Sequence, residues 1–195
     1  MTGLARGDKL TRFALYQELG KVADQLPGRT TARTLVISHS HPLCDLFRVP
    51  AEGRVEANYP EHNILSLRFP DNEFDFVVSD FVLEHVEGNP EQAMEECRRV
   101  LKPGGVAIHT TAFNYHVHGA PNDYWRFTPS ALAWLHRRFG QVIATGGWGN
   151  QWVWVMVYFG LRKEGVPLAR WHPFHRIATR NDRRWPITTW VVARK

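Results

Sequence analysis

The middle of the chain carries a strand, a helix and a second strand in immediate succession, and this order limits the fold more than any other feature. FDFVVSD (74–80) has apolar residues at consecutive positions, as in a parallel strand covered on both faces. Asn89-Pro90 predicts a helix start, with Gln92 as a capping partner of Asn89. KPGG (102–105) predicts the helix end, and VAIHTT (106–111) the next strand. The pattern predicts a parallel sheet with right-handed crossovers.

The same alternation continues on both sides of this block. Apolar periodicity predicts an amphipathic helix before the sheet and another after it, with short strands between them. The predicted helices are 9–26 and 128–139, and the further predicted strands are 34–38, 54–56, 63–65, 141–146 and 187–193. We expect a helical N-terminal extension over residues 1–33 and one domain over residues 34–195. In such sheets, ligands bind beyond the carboxyl ends of the central strands.

Composition narrows the class of protein and its partners. A chain of 195 residues suits one domain, and its formal charge is +5. The basic residues are mostly interspersed with acidic ones, which argues against a nucleic-acid partner and leaves an anionic small molecule or an acidic protein. Two cysteines make no disulfide framework, and the longest strongly apolar run, 152–161, is too short to cross a bilayer. We therefore expect a cytoplasmic protein without a membrane partner.

Three motifs in this order and spacing, FPDNEFD, LEHV and LKPGG, resemble class I S-adenosylmethionine-dependent methyltransferases. The run HGAPNDYWRFTPSAL is similar to the segment that follows in bacterial members found with sugar and secondary-metabolite pathways. The resemblance covers residues 34–195. It implies an α/β, Rossmann-like fold with a mostly parallel seven-stranded sheet, strand order 3-2-1-4-5-7-6, an antiparallel last strand and helices on both faces. It also implies S-adenosylmethionine as cofactor and a small polar acceptor of the methyl group.

The predicted cofactor site resembles that of the family in some segments and differs from it in others. The family has a glycine-rich turn after the first strand, whereas this chain has Ser38-His39-Ser40-His41. Glu56 is placed to bind the ribose hydroxyls, and the Asn63 amide to bind the adenine edge. The predicted cofactor-binding residues are Ser38, His39, Ser40, Glu56, Asn63, Ile64, Phe81 and His85.

The glycine-free turn leaves three interpretations open. Glycine permits positive φ and close approach of a ligand to the backbone, whereas histidines project bulk and donors into that space. The cofactor could still bind with the turn held further out. The pocket could instead serve a non-methylating reaction in secondary metabolism, such as an intramolecular displacement that closes a ring, or an elimination. The domain could also be a non-catalytic partner subunit.

Methyl transfer requires the acceptor and the methyl group to be held in line, and sometimes removal of a proton. Polar residues near the predicted strand ends are the candidates for these tasks. The predicted catalytic residues are Asp80, His116, Asp123 and Asp45, and the predicted substrate-binding residues are His118, Tyr124, Arg126 and Trp148.

Each of these assignments has a structural alternative. NDYWRF could be a packing turn in which Asp123 and Arg126 pair, and Asp45 could lie in a polar helix. The aromatic segment 146–161 could pack in the core, or form a lid or an interface with a second copy or another pathway enzyme. Ten histidines raise the question of a metal, but no ligand spacing matches a zinc pattern, so we predict no metal site.

Overall fold

The computed structural model describes residues 4–27, 31–119 and 121–195. The strands are β1 (Arg6–Lys9), β2 (Thr34–Ile37), β3 (Arg54–Ala57), β4 (Phe74–Asp80), β5 (Leu101–Ala112), β6 (Gln141–Trp148), β7 (Gly165–Pro167) and β8 (Thr188–Arg194). The α-helices are α1 (Leu10–Ala23), α2 (His41–Leu46), α3 (Pro90–Val100), α4 (Pro129–Leu135), α5 (Gln151–Tyr158) and α6 (Pro173–Thr179). Short 3-10 helices span Leu83–His85 and Leu161–Lys163. Of the predicted N-terminal extension, residues 1–3 and 28–30 lie outside the described residues.

Six strands form the main sheet in the order β3-β2-β4-β5-β8-β6. Strands β2, β3, β4 and β5 are parallel, and β8 runs antiparallel to both of its neighbours. Strands β1 and β7 pair separately as an antiparallel ribbon. The mostly parallel Rossmann-like sheet and the antiparallel last strand are thus confirmed.

The predicted seven-strand order is wrong at one edge. Residues 63–65, predicted as the third strand, form a turn in which the Asn63 carboxamide oxygen accepts the Leu65 N–H at 2.9 Å. Asparagine side chains commonly close turns in this way, because their short amide competes with the strand ladder for backbone donors. The sheet therefore ends at β3, and the remaining strands keep the predicted sequence of neighbours.

Helices cover both faces of the sheet, as predicted. Helices α3 and α4 pack on one face through Met94, Cys97 and Leu132 against strand residues such as Val77. Helices α1 and α2 pack on the other face. Their buried residues are Leu15, Tyr16, Leu19, Val22, Leu43 and Cys44, against Val36, Val78, Ile108 and Val192 of the strands.

A third cluster lies beside β6 and joins α1, α5, α6 and β7. Trp148 is buried there, whereas Trp152, Tyr158 and Phe159 of the same aromatic segment are exposed. The core-packing alternative thus holds for Trp148, and the lid or interface alternative stays a prediction for the exposed residues. Among the described residues, no helix is both long enough and apolar enough to span a bilayer.

Helix α3 begins as its sequence predicts. Asn89 accepts the Glu91 N–H with its side chain at 2.9 Å, and Pro90 occupies the first helical position. Gln92 does not complete the predicted capping pair, since its amide donates to the Leu65 carbonyl instead. Strand β5 follows α3 directly at Leu101, earlier than predicted.

Two buried histidines lie beneath α4. His136 donates from Nδ1 to the Leu132 carbonyl at 2.8 Å, and His109 contacts the Ser79 hydroxyl at 2.6 Å. Burial lowers the pKa of His136 to about 4, because the apolar surroundings disfavour the charged ring. Burial and the neighbouring His136 lower the pKa of His109 well below its usual value. Both rings are therefore neutral in the folded protein at neutral pH.

We expect His136→Phe to reduce the loss of stability in mild acid. As the pH falls through 6.5, the unfolded chain binds a proton at this residue and the folded chain does not until the pH nears 4. Between about pH 7 and pH 5 the wild type should lose about 2 kcal/mol more unfolding free energy than the variant. Urea unfolding at both pH values measures the difference.

The control is Trp134→Phe, which changes an exposed, non-titrating ring on the same helix. It should leave the pH difference at the wild-type value. An equal pH difference in wild type and His136→Phe would contradict the assignment of this loss to His136.

Candidate functional site

A cavity of about 630 Å³ opens beyond the carboxyl ends of β2 and β4. This size is in the range of small-molecule sites. Ile37 and Ser38 contribute from β2, Phe81 and Val82 from the end of β4, and the loop after β3 closes another side. The remaining lining residues are Tyr59, His62, Asn63, Ile64, His85, Val86, Glu87, Pro121 and Tyr124. The position agrees with the rule for ligand sites in parallel sheets.

The predicted cofactor residues fall into two groups. Five of the eight line this cavity, and the other three occupy the turn after β2 or the end of β3. Those in the cavity wall are Ser38, Asn63, Ile64, Phe81 and His85, and those outside its lining are His39, Ser40 and Glu56. Sequence reasoning missed Tyr59 and His62, which lie in a loop without a distinctive motif.

The turn after β2 adopts left-handed backbone conformations without glycine. The φ angles are 51° at Ser38 and 58° at His39. Such angles cost a residue with a side chain about 1–2 kcal/mol. Ser40 stabilises the turn, because its hydroxyl donates to the Ile37 carbonyl at 2.5 Å and accepts the Asp80 N–H at 2.8 Å. The turn thus keeps a conformation for which glycine is usually required, and side-chain hydrogen bonds hold it.

Glu56 does not face the cavity freely. Its carboxylate lies 2.8 Å from His41 Nε2 and 3.3 Å from His39 Nδ1, and it accepts the Asn58 amide at 2.6 Å. Hydrogen bonds from Asn58 and His41 lower the pKa of Glu56. The two histidines that replace the glycines are therefore partners of the carboxylate predicted to bind the ribose.

Asp80 lies at the end of β4 and is almost fully buried. Its Oδ2 accepts from Arg12 Nε at 2.9 Å and from the Tyr16 hydroxyl at 2.8 Å, and its Oδ1 accepts from Thr110 at 2.5 Å. Burial and the Asp80 charge raise the pKa of Tyr16. Sequence reasoning missed Arg12 and Tyr16. Their i, i+4 spacing places them on one face of α1, but nothing in the sequence shows that this face meets β4.

A second cavity, of about 390 Å³, adjoins the first through Ser38, which lines both. Lys9, Arg12 and His39 contribute basic groups to it, and Asp8 and Asp80 contribute carboxylates. Arg12 also lies over the Phe81 ring at 4.2 Å. Among the described residues, the Arg12 Nη atoms and the Lys9 ammonium have no carboxylate partner. Both cations are therefore available to an anionic group.

The loop after β5 places the remaining predicted residues. Asp123 is buried and pairs with Arg126, which holds the pKa of that carboxyl well below its usual range. His118 Nδ1 lies 3.1 Å from Asp123, and His116 contacts Arg162 at 3.1 Å. This arrangement favours the packing-turn alternative for Asp123 and Arg126. Of the predicted substrate-binding residues, Tyr124 lines the cavity.

Two predicted site residues lie elsewhere. Trp148, predicted to bind substrate, is 1% exposed in the third cluster, where a large ring fills the space between α1 and α5. Asp45, predicted as catalytic, points from α2 into solvent and pairs with Arg54 at 2.7 Å. Neither residue is among those that line the two cavities. Both predictions are corrected accordingly.

Comparisons with known proteins agree with this architecture. Residues 19–109 match the family model described as a methyltransferase domain. A probable methyltransferase of Aspergillus luteorubrus, ltbC, is 34% identical over 91 residues, which are 45% of this chain and 32% of that protein. The match thus spans about a third of that relative's length.

Solved structures show the same fold. An S-adenosylmethionine-dependent methyltransferase from Mesorhizobium loti matches with a TM-score of 0.54 at 11% identity, over 95% of this chain and 98% of that one. The [4+2]-cyclase SpnF matches with a TM-score of 0.55 at 15% identity, over 100% of this chain and 88% of that one. The fold is therefore that of class I methyltransferases. The family model covers residues 19–109, which are slightly less than half of the chain, and the rest of the chain shares the fold alone with these structures.

We expect Ser38→Gly to stabilise the protein by up to about 1 kcal/mol. Glycine removes the cost of the left-handed φ at this position, and part of that gain is offset by the greater backbone freedom of glycine in the unfolded chain. Ser130→Gly, an exposed position within α4, is the matched control and should destabilise by about 0.5 kcal/mol. Urea unfolding compares the two. A Ser38→Gly variant destabilised as much as its control would show that this turn is unstrained.

Proposed function

We propose that the protein binds S-adenosylmethionine in the 630 Å³ cavity and transfers its methyl group to a small polar molecule. One observation carries the proposal: five residues predicted for the cofactor from separate segments of the sequence line one cavity over the ends of β2 and β4. The acceptor would be a small molecule of a bacterial biosynthetic pathway, as the resemblance of the segment around Asp123 suggests.

The walls of the cavity fit the two halves of a nucleoside. Ile64, Phe81 and Val82 offer apolar surface against which a base packs. The Asn63 carboxamide oxygen accepts the Leu65 N–H. The NH₂ group of Asn63 is therefore left to donate to an adenine edge. These contacts favour an adenosine group in this cavity.

The adjoining smaller cavity fits the amino-acid end of the cofactor. Lys9 and Arg12 supply positive charge for a carboxylate, and the Arg12 guanidinium is fixed by its Nε bond to Asp80. Ser38 forms the boundary between the two cavities. A cofactor that extends across this boundary would place its sulfur near Ser38 and the ends of β2 and β4.

The chain's own part in the reaction would be positioning. The bound cofactor supplies an activated methyl group on a sulfonium, so the protein must hold an acceptor atom in line with it and exclude water. Tyr124 and His85 line the cavity and can contact the acceptor. Asp80 already accepts three hydrogen bonds, so we assign it the task of fixing Arg12 and not of accepting a proton.

One observation favours a second candidate function. Glu56, which should bind the ribose, is bound by His39 and His41 and is not among the residues that line the cavity. A pocket freed from the cofactor would suit a non-methylating ring closure or elimination, and the fold of SpnF, a [4+2]-cyclase, is similar. A non-catalytic partner role is the third alternative.

Calorimetric titration with S-adenosylmethionine and S-adenosylhomocysteine separates these functions. The methyltransferase proposal expects micromolar binding, about −8 kcal/mol. Glu56→Ala should weaken binding about tenfold or more, because a hydrogen bond to a charged group contributes about 1.5–3 kcal/mol. This loss of affinity is expected only if Glu56 releases His39 and His41 and binds the ribose hydroxyls when the cofactor enters.

The matched control is Asp45→Ala, which removes a solvent-facing carboxylate outside both cavities and should leave binding unchanged. Absence of binding at millimolar ligand would reject the methyltransferase proposal and leave the ring-closing or partner roles. Binding that survives Glu56→Ala unchanged would instead place the ribose on other residues.

A further inference from the structure

Three residues with metal-binding side chains meet beside the larger cavity, and one of them, His85, lines it. Glu84, His85 and His118 each offer one ligand atom, and these atoms all lie within 4.8 Å of one another. Glu84 and His85 belong to the 3-10 turn after β4, whereas His118 belongs to the loop after β5. His85 and His118 are 33 positions apart in the sequence, so no short ligand spacing predicts a metal site here.

Both imidazole rings are held through their Nδ1 atoms. His85 Nδ1 donates to the Asn122 carbonyl at 2.6 Å, and His118 Nδ1 lies 3.1 Å from Asp123 Oδ2 and 3.3 Å from the His116 carbonyl. Because these oxygens only accept, Nδ1 carries the proton in each ring, and a neutral ring then has its lone pair on Nε2. Burial lowers the pKa of His118, which favours this neutral form.

Glu84 is fully buried, and its carboxylate has only neutral donors. Thr111 donates to Oε2 at 2.8 Å and the Ala112 N–H to Oε1 at 3.2 Å, and no ion pair of Glu84 is present in the described part of the chain. Arg126, the nearby cation, is paired with Asp123. Burial raises the pKa of the Glu84 carboxyl. A buried carboxylate of this kind is stabilised by a cation that enters beside it.

We propose that Glu84, His85 and His118 bind one divalent transition-metal ion of the Zn²⁺ class. Two imidazoles and one carboxylate are a usual ligand set for such ions, and three protein ligands leave one position for water or a substrate oxygen. The contacts of Nδ1 with a carbonyl and a carboxylate are the ones that metal-bound histidines usually make.

The geometry requires a modest contraction. Ligand atoms on a tetrahedral ion with bonds of about 2.1 Å lie about 3.4 Å apart. The ligand atoms here are within 4.8 Å, and a shift of the partly exposed His118 ring about its Nδ1 contacts would bring Nε2 toward the other two. Asp123, itself held by Arg126, would then orient the His118 ring as a second-layer carboxylate.

The metal ion would also have a role in catalysis. That role rests on the proposed methyl transfer, whereas metal binding itself does not. His85 also lines the large cavity, so a metal held by it would lie at the cavity wall. An acceptor hydroxyl bound to the open position would have a lowered pKa and would lose its proton to solvent water more readily. The acceptor class would accordingly be an alcohol or phenol.

Titration of the chelator-treated protein with Co²⁺, followed by displacement with Zn²⁺, tests the site. We expect one Co²⁺ per chain with the visible absorption of tetrahedral cobalt, and its loss when Zn²⁺ is added. His118→Ala and Glu84→Gln should remove the absorption, and Asp123→Asn should weaken binding about 10–100-fold as an orienting partner. The cobalt absorption does not depend on methyl transfer. The metal site can therefore be rejected without rejecting the proposed function, and the reverse also holds.

His41→Ala is the matched control, because His39 and His41 form the other pair of imidazoles around a carboxylate. It should leave cobalt binding unchanged. Should Glu84→Gln fail to fold, His118→Ala still decides, since His118 is partly exposed. Absence of bound Co²⁺ and Zn²⁺ in the wild type, or binding that survives His118→Ala and is lost in His41→Ala, would overturn the proposal.

Discussion

The Asp80 carboxylate is the contact on which the site depends most. It is a buried charge at the end of a central strand, and burial of a charge is costly unless partners satisfy it. The partners come from α1 through Arg12 and Tyr16, and from β5 through Thr110, while the Asp80 N–H donates to Ser40 in the turn after β2. One residue thus joins three other segments, namely α1, β5 and the turn after β2, to the end of β4.

The glycine-free turn shows how the chain keeps a left-handed backbone conformation without the residue type that usually adopts it. Ser38 and His39 take left-handed angles, and the hydroxyl of Ser40 holds the following backbone. The two histidines then bind Glu56. The histidines that stand in place of glycine therefore also bind Glu56, the carboxylate predicted to bind the ribose. Methyl transfer and a non-methylating reaction are competing proposals for this reason.

The fold was largely predictable because its signals are local. Consecutive apolar residues defined β4 to the residue, and Asn89-Pro90 marked the start of α3. The prediction failed at residues 63–65, where a side-chain hydrogen bond of Asn63 replaced strand pairing. It also failed for Trp148, because an aromatic residue that follows a strand has the same local pattern whether it faces a ligand or the core.

The sequence by itself determined the central strand–helix–strand block, the start of α3 at Asn89-Pro90 and the segments that reach the carboxyl edge of the sheet. Tertiary structure alone decided which polar groups meet there: Arg12 with Asp80, His41 with Glu56, and His118 with Glu84. The reason is physical. Helix and strand periodicity acts over a few residues, whereas these pairs are joined by 15 to 68 positions of chain and depend on how whole elements pack.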